Sequence, residues 1–412
     1  MPARRNPFCS HATLAAAMVV LFVAVSAFAQ SGGPRTLEEL KEETQRRQLG
    51  LKSEDVREAL ANIHSLDRDE WAAAWSAIAE RYDKRAKSEE ASKDSKAAQA
   101  DYRMAWRYYN FARWPVPNSP GKEKAYQNAL VAFRNYARFL DPPLEIVRIP
   151  FEGEEIIGYL RLPKDVRPAP LVLTISGGDT RKEDGVDGDG SLIASGIGFF
   201  AEEMPGTGEM PIKADVGAER VFSRILDYLA TRPDVDSNRI VVRGGSWGGY
   251  WAAKLAYVER NRLRGAVLAG GPVDGYYTAE WQRKSLTTPE YLFDLFASRS
   301  SAYGVNTLDE FLAYGLRMSL KQEGWLGKPS APMLIINGAK DSQVPISDLY
   351  LLLNSGGSPK EAWVNPDGEH TGRSEEWPGS RITEEIVMPW IKARLNAASK
   401  PVRSTTTSSS LR

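Results

Sequence analysis

Apolar positions recur at helical spacing over the first third of the chain and at strand spacing thereafter. Trp71, Trp75 and Ile78 fall at i, i+4 and i+7, as do Tyr102, Trp106 and Tyr109, while Leu130, Phe133 and Ala137 keep to one face. This spacing predicts amphipathic helices over residues 36–142. Thr36-Leu-Glu-Glu39 predicts the start of the first one through a capping box. Residues 84–98 are charged and poor in apolar side chains, as expected of an exposed helix face or a connection. After Asp141-Pro-Pro143 the spacing changes. Short apolar runs at 144–150, 154–163, 171–175, 196–201, 240–242, 265–269, 333–336 and 361–364 predict eight strands, the first two joined in a hairpin around Glu152-Gly153. Helical patterns separate the later strands; Ala218, Phe222, Ile225 and Leu229 mark the plainest apolar face. A leading hairpin followed by β-α alternation predicts a mostly parallel sheet covered on both faces. A helix near the C-terminus carries Ile386, Trp390 and Leu395 inward. Residues 399–412, rich in Ser and Thr, predict a tail without fixed structure.

One junction in this pattern carries chemistry. The run Ile240 to Val242 ends in Gly244-Gly245-Ser246-Trp247-Gly248, and helix-forming residues follow at once. Strand, sharp turn and helix with a serine at the apex is the nucleophile-elbow arrangement. A serine hydroxyl attacks only when a base can reach it, so it must protrude from a tight turn. Glycines two before and two after leave room where strand and helix nearly touch. The helix start would offer the Trp247 N–H to an oxyanion. A glycine-rich strand-to-helix turn can equally cradle a phosphate, so the partners of the serine decide between the two readings.

A base and an orienting carboxylate should follow Ser246 in the order serine, acid, histidine. The sequence holds three histidines, and only His370 lies beyond the serine; His11 falls in the leader and His64 on a predicted helix. His370 follows the last predicted strand, in Asn365-Pro-Asp-Gly-Glu-His370. Asp341 follows the strand before, in Asn337-Gly-Ala-Lys-Asp341. Strands five, seven and eight therefore deliver Ser246, Asp341 and His370 to one sheet edge as nucleophile, orienting carboxylate and base. Asp367 and Glu369 are rival carboxylates, too near His370 in sequence to orient its ring easily. The second oxyanion donor is expected from the loop after the third strand, Ser176-Gly-Gly-Asp-Thr180, at Gly178 or Asp179. Asp184 to Gly190 superficially suggests a calcium loop, but position six from Asp187 is Leu192 rather than glycine, so it reads as a flexible turn.

Composition adds an address and removes some partners. Arg4 and Arg5, an apolar run over 14–29 and Ala27-Phe-Ala29 predict a cleavable secretory signal over 1–29 and a periplasmic or secreted protein. Cys9, the single cysteine, lies in that segment, so no disulfide is expected after cleavage. The 53 basic and 53 acidic residues balance, which gives no electrostatic footprint for nucleic acid or for a membrane surface. No cofactor or metal site is indicated. A homodimer is compatible with this composition.

With these residues in view, the chain resembles the α/β-hydrolases over 143–398. With its helical region it resembles the FrsA-like esterases and the related 2,6-dihydroxypseudooxynicotine hydrolase type. The matching residues are Gly177-Gly178 with Lys182-Glu183, Glu203-Met-Pro-Gly-Thr-Gly-Glu209, the elbow, Gly338-Ala-Lys-Asp341 and Gly368-Glu-His370. Glu203 stands where Asp is commoner, and the oxyanion loop is one residue shorter. The resemblance implies hydrolysis of a carboxylic ester by an acyl-enzyme. It also leaves open cleavage of a carbon–carbon bond beside a ketone; the Gly-Ser-Trp-Gly-Gly-Tyr segment further suggests a prolyl-oligopeptidase-like peptidase. Residues 273–328 stand where such folds carry a cap. Its aromatics, with the cluster Trp106 to Trp114, either wall a pocket for a bulky, aromatic ester or ketone or serve only as packing between the two parts.

Overall fold

The computed structural model describes residues 36–47, 50–287 and 291–397. The predicted signal (1–29) and the tail (399–412, with Ala398) lie outside the described residues. The helical region contains α1 (Leu37–Arg47), α2 (Ser53–Ala61), α3 (Arg68–Ala91), α4 (Ser95–Ala112) and α5 (Pro120–Ala137). The capping box forms as read: Thr36 Oγ1 accepts from the Glu39 N–H, and Glu39 accepts from the Thr36 N–H, both at 3.1 Å. Asp67, Asp94 and Ser119 cap α3, α4 and α5 with their side chains. The charged stretch 84–98 covers the end of α3, a tight turn and the start of α4. His64 lies in the α2–α3 connection rather than on a helix, exposed and 3.1 Å from Glu70.

Eight strands follow: β1 (Glu145–Phe151), β2 (Glu154–Arg161), β3 (Ala169–Ile175), β4 (Gly198–Glu202), β5 (Val235–Gly245), β6 (Leu263–Ala269), β7 (Met333–Gly338) and β8 (Lys360–Asn365). They form one sheet in the order β1-β2-β4-β3-β5-β6-β7-β8. β1 pairs antiparallel with β2, and β2 with β4; every other pairing is parallel. The β1–β2 hairpin turns at Glu152 (φ 52°) and Gly153 (φ 90°), the paired positive angles that a two-residue turn needs.

The connecting helices are α6 (Lys182–Gly188), α7 (Gly190–Ala194), α8 (Arg220–Ala230) and α9 (Trp247–Val258). Then come α10 (Ala279–Ser285), α11 (Leu295–Tyr303), α12 (Leu308–Gly315), α13 (Ile346–Leu353), α14 (Gly379–Ile382) and α15 (Met388–Asn396). One face of the sheet packs on α8, α9 and α13. The other packs on α6, α7, α15 and the helical region, with Phe133 of α5 stacked 5.3 Å from Tyr159 of β2. The stretch Asp184 to Gly190 is helical rather than a flexible turn. Its acids have structural partners: Asp184 caps α6, Asp187 binds Arg103 of α4 at 2.5 Å, and Asp189 pairs with Arg243. The motif residues Lys182, Glu203 and Glu209 also meet, with the buried Lys182 ammonium 2.9 Å from Glu203 and 2.8 Å from Glu209.

α10, α11 and α12 form the insertion between β6 and β7, and it is bound to the helical region. Asp294 accepts from Arg68 Nε at 2.8 Å and Nη2 at 2.6 Å, from Lys122 Nζ at 3.1 Å and from Asn118 Nδ2 at 3.1 Å. Lys122 is fully buried, and burial pushes its ammonium down to about 8. Burial also opposes charge on Asp294, yet Arg68 and Lys122 hold its carboxyl below the usual range. A carboxylate so depressed adds stability above its unfolded pKa, and that stability is lost as pH falls through the folded value. Asp294→Asn keeps a residue tolerant of the left-handed backbone (φ 56°) and leaves a buried ammonium unpaired. It is expected to lower the unfolding free energy by about 3 kcal/mol. Chemical denaturation checks this, and Lys122→Met added to Asp294→Asn should recover much of the loss.

Candidate active site

β5 ends at Gly245 and α9 starts at Trp247, so Ser246 is the whole turn. Its backbone sits at φ 55°, ψ −127°, a conformation costly for a residue with a Cβ. The Ser246 N–H donates to the Ala269 carbonyl at 2.7 Å, which holds the apex against β6. The flanking glycines are required by contact. A Cβ on Gly244 would lie 2.1 Å from the Gly248 carbonyl oxygen, and one on Gly248 would lie 2.4 Å from that of Ile175.

His370 is buried just beyond β8, and its Nδ1 lies 2.8 Å from Asp341 Oδ2 beyond β7. Asp341 Oδ1 accepts from the Gln343 N–H at 2.7 Å and the Val344 N–H at 3.0 Å. Burial works against the Asp341 charge, but the His370 ring and these donors hold its carboxyl below the ordinary range. Of the rival carboxylates, Asp367 is exposed and pairs with Lys340 at 2.7 Å, and Glu369 is exposed. The other ring nitrogen of His370, Nε2, is buried with no hydrogen-bond partner.

Ser246, Trp247, His370, Gly177, Gly178 and Asp179 all line one cavity of about 660 Å³. Asp341 stands behind His370. Gly177 runs against the serine: a Cβ there would lie 3.4 Å from Ser246 Cβ. Its own N–H is committed to Thr180 Oγ1 at 2.8 Å.

The aromatic cluster divides. Trp106, Tyr108 and Tyr109 are buried among the helices; Trp106 meets Phe133 at 5.4 Å, and Tyr108 stacks on Trp75 and Tyr82. Phe111 and Trp114, one turn further, reach the cavity and face Tyr276, Tyr291 and Leu295 of the insertion. Trp114 lies 4.8 Å from the Tyr291 ring. Tyr277 and Trp281 do not reach the cavity: Tyr277 packs on Tyr250, and the Trp281 indole donates to the Gln343 carbonyl at 2.9 Å. Sequence reading missed the buried guanidiniums of Arg113, Arg181 and Arg299 in the cavity wall. No periodicity marks them, because arginine ordinarily faces water, whether at a helix end, as Arg113 and Arg181 are, or within a helix, as Arg299 is in α11.

Comparison with known proteins agrees with this architecture. The family described as "Esterase FrsA-like" matches residues 38–366. The chain is 26% identical to Esterase FrsA of Vibrio cholerae serotype O1 over 302 residues, 71% of this chain and 70% of that protein. It is 31% identical to Esterase FrsA of Salmonella paratyphi B over 260 residues, 61% of each chain. Among solved structures it superposes on 2,6-dihydroxy-pseudo-oxynicotine hydrolase with a TM-score of 0.73 at 22% identity, covering 86% of this chain and 97% of the other. It matches AbyA5 with a TM-score of 0.65 at 22% identity, covering 86% and 93%. The sheet, its helices and the match over most of its length place the chain in the FrsA-like esterase family, with an α/β-hydrolase fold.

Proposed function

We propose that this chain is a serine hydrolase that cleaves carboxylic esters through an acyl-enzyme. The observation that carries this reading is the His370–Asp341 pair, whose free ring nitrogen is buried beside the cavity that Ser246 lines. In the proposed cycle Ser246 Oγ gives its proton to His370 Nε2 and attacks the ester carbonyl carbon. The oxyanion is met by the Trp247 N–H and by a loop N–H of Gly178 or Asp179. His370 then passes the proton to the leaving alkoxide, which departs as the alcohol. Water, deprotonated by His370, attacks the acyl-serine; the acid leaves and Ser246 recovers its proton. Asp341 holds the imidazole with its Nδ1 protonated and stays ionised throughout. A fluorophosphonate probe tests the class: it should label wild type and leave Ser246→Ala unlabelled. A panel of aryl esters, 1,3-diketones and aminoacyl amides then separates an esterase from a carbon–carbon hydrolase and a peptidase.

Phe111, Trp114, Tyr276 and Tyr291 support a bulky, aromatic acyl or alcohol group. Trp114→Leu and Tyr291→Leu should each lower kcat/KM for bulky aryl esters about 10-fold relative to acetyl esters, as the loss of 1–2 kcal/mol of contact implies. An unchanged ratio with a lowered Tm would make these rings packing only. The leader supports a periplasmic or secreted address, and N-terminal sequencing of the mature protein should then begin at Gln30.

A further inference from the structure

The loop from Ser176 to Arg181 lies between β3 and α6, and three consecutive carbonyls in it, those of Gly178, Asp179 and Thr180, are held by arginine. The Gly178 carbonyl accepts from Arg181 Nη1 at 3.3 Å and the Thr180 carbonyl from the same nitrogen at 2.7 Å. The Asp179 carbonyl accepts from Arg113 Nη1 at 3.0 Å. A peptide unit is planar and trans, so fixing a carbonyl also fixes the N–H on its opposite side. Arg181 therefore sets the peptide unit that carries the Asp179 N–H, and Arg113, by fixing the Asp179 carbonyl, sets the next unit, so that Asp179, a candidate oxyanion donor, is clamped on both sides. Turning either unit would break a charge-assisted hydrogen bond in a buried site.

Arg113 reaches this loop from the end of α4, in the helical region. It is fully buried, and among the described residues no carboxylate makes a salt bridge to it or to Arg181; those of Asp184 and Asp179 favour the Arg113 charge without direct contact. Asn110 Oδ1 takes Nε and Nη2 at 2.8 and 2.6 Å, and the Pro115 carbonyl takes Nη1 at 2.9 Å. Asn110 also donates to Asp184, whose other oxygen accepts the Arg181 N–H, so the network closes on the start of α6. Burial pushes the Arg113 guanidinium down to about 10, which leaves it charged at neutral pH. Burying a charge without a directly paired carboxylate is costly, and an apolar side chain of similar volume would pack here at less cost. The use that the position makes of the charge is its hold on the loop.

We propose that Arg113 and Arg181 are positioning residues that hold the Gly178–Thr180 loop in the orientation in which it meets the oxyanion at Ser246, so that the helical region takes part in turnover. This rests on the reading of Ser246 as nucleophile and of this loop as donor. It predicts a defect confined to the transition state. With p-nitrophenyl butyrate, Arg113→Met should lower kcat per active site about 10²-fold, as for a lost oxyanion donor, with KM within about 3-fold. Active sites are counted by fluorophosphonate titration. Affinity for a boronic acid that mimics the tetrahedral state should fall by a similar factor, and added guanidinium should restore part of the rate in Arg113→Ala. If kcat per titrated site is unchanged and only Tm falls, the residue is merely structural and the proposal is wrong. Should Arg113→Met fail to fold, Arg181→Met is read by the same measurements and criteria. Activity retained in Ser246→Ala would instead overturn the underlying reading of the site.

Discussion

Ser246→Ala is expected to reduce hydrolysis of an aryl ester on the order of 10⁴- to 10⁶-fold, because the remaining groups can bind substrate but have nothing to attack with. The same change should leave stability within about 1 kcal/mol. Alanine inherits the φ 55° backbone, so the strain of the turn is neither added nor relieved. The hydroxyl also makes no hydrogen bond to His370, whose Nε2 is unpartnered, so its removal orphans no buried partner there. A purified variant with wild-type Tm and most of its activity would remove Ser246 from the mechanism.

Asp341→Asn is expected to cost about 10⁴-fold in kcat, since an amide can present its N–H to Nδ1 and stabilise the wrong tautomer. Asp367→Asn and Glu369→Gln should stay near wild type. Asp367 is paired with Lys340 in solvent, and Glu369 faces solvent. The change should also reduce stability near neutral pH. The carboxyl of Asp341 is depressed in the folded protein, so it contributes above its unfolded pKa and the contribution is lost as pH falls through the folded value. The stability difference between variant and wild type should therefore narrow in acid. Should Asp341→Asn be nearly silent while Asp367→Asn or Glu369→Gln is crippling, the orienting carboxylate is misassigned.

The sheet was legible because its strands are short, apolar and punctuated. All eight lie within a few residues of the runs read from spacing, except that β5 begins at Val235, ahead of Ile240. Its early residues Asp236, Ser237 and Asn238 are polar, and a polar start hides a strand from any apolar count. The elbow was legible because three constraints meet in five residues, and the His370–Asp341 pairing because each follows its own strand. Which aromatics wall the cavity was not legible: Tyr109, Tyr277 and Trp281 take the packing alternative, while Phe111, Trp114, Tyr276 and Tyr291 reach the cavity. Composition marks a segment as aromatic, but the direction of each ring is set by helix phase, and a step of one or two residues moves it from cavity to core. The acids of α6 looked like a loop because two glycines interrupt them. Their helix is held by Asp184 as a cap and by Arg103 and Arg243 as partners distant in sequence.

The Asp294 cluster has a consequence for how the chain can be divided. Arg68, Asn118 and Lys122 belong to the first third of the chain, and the residue they grip belongs to the insertion between β6 and β7. Phe133 of α5 in addition stacks on Tyr159 of β2, which ties the first third of the chain to the sheet itself. A cut near residue 142, inviting by sequence, would leave Asp294 without its cations and bare an aromatic surface over β2. The two regions thus share buried contacts, and a transplanted hydrolase portion is expected to need its helical partner supplied with it.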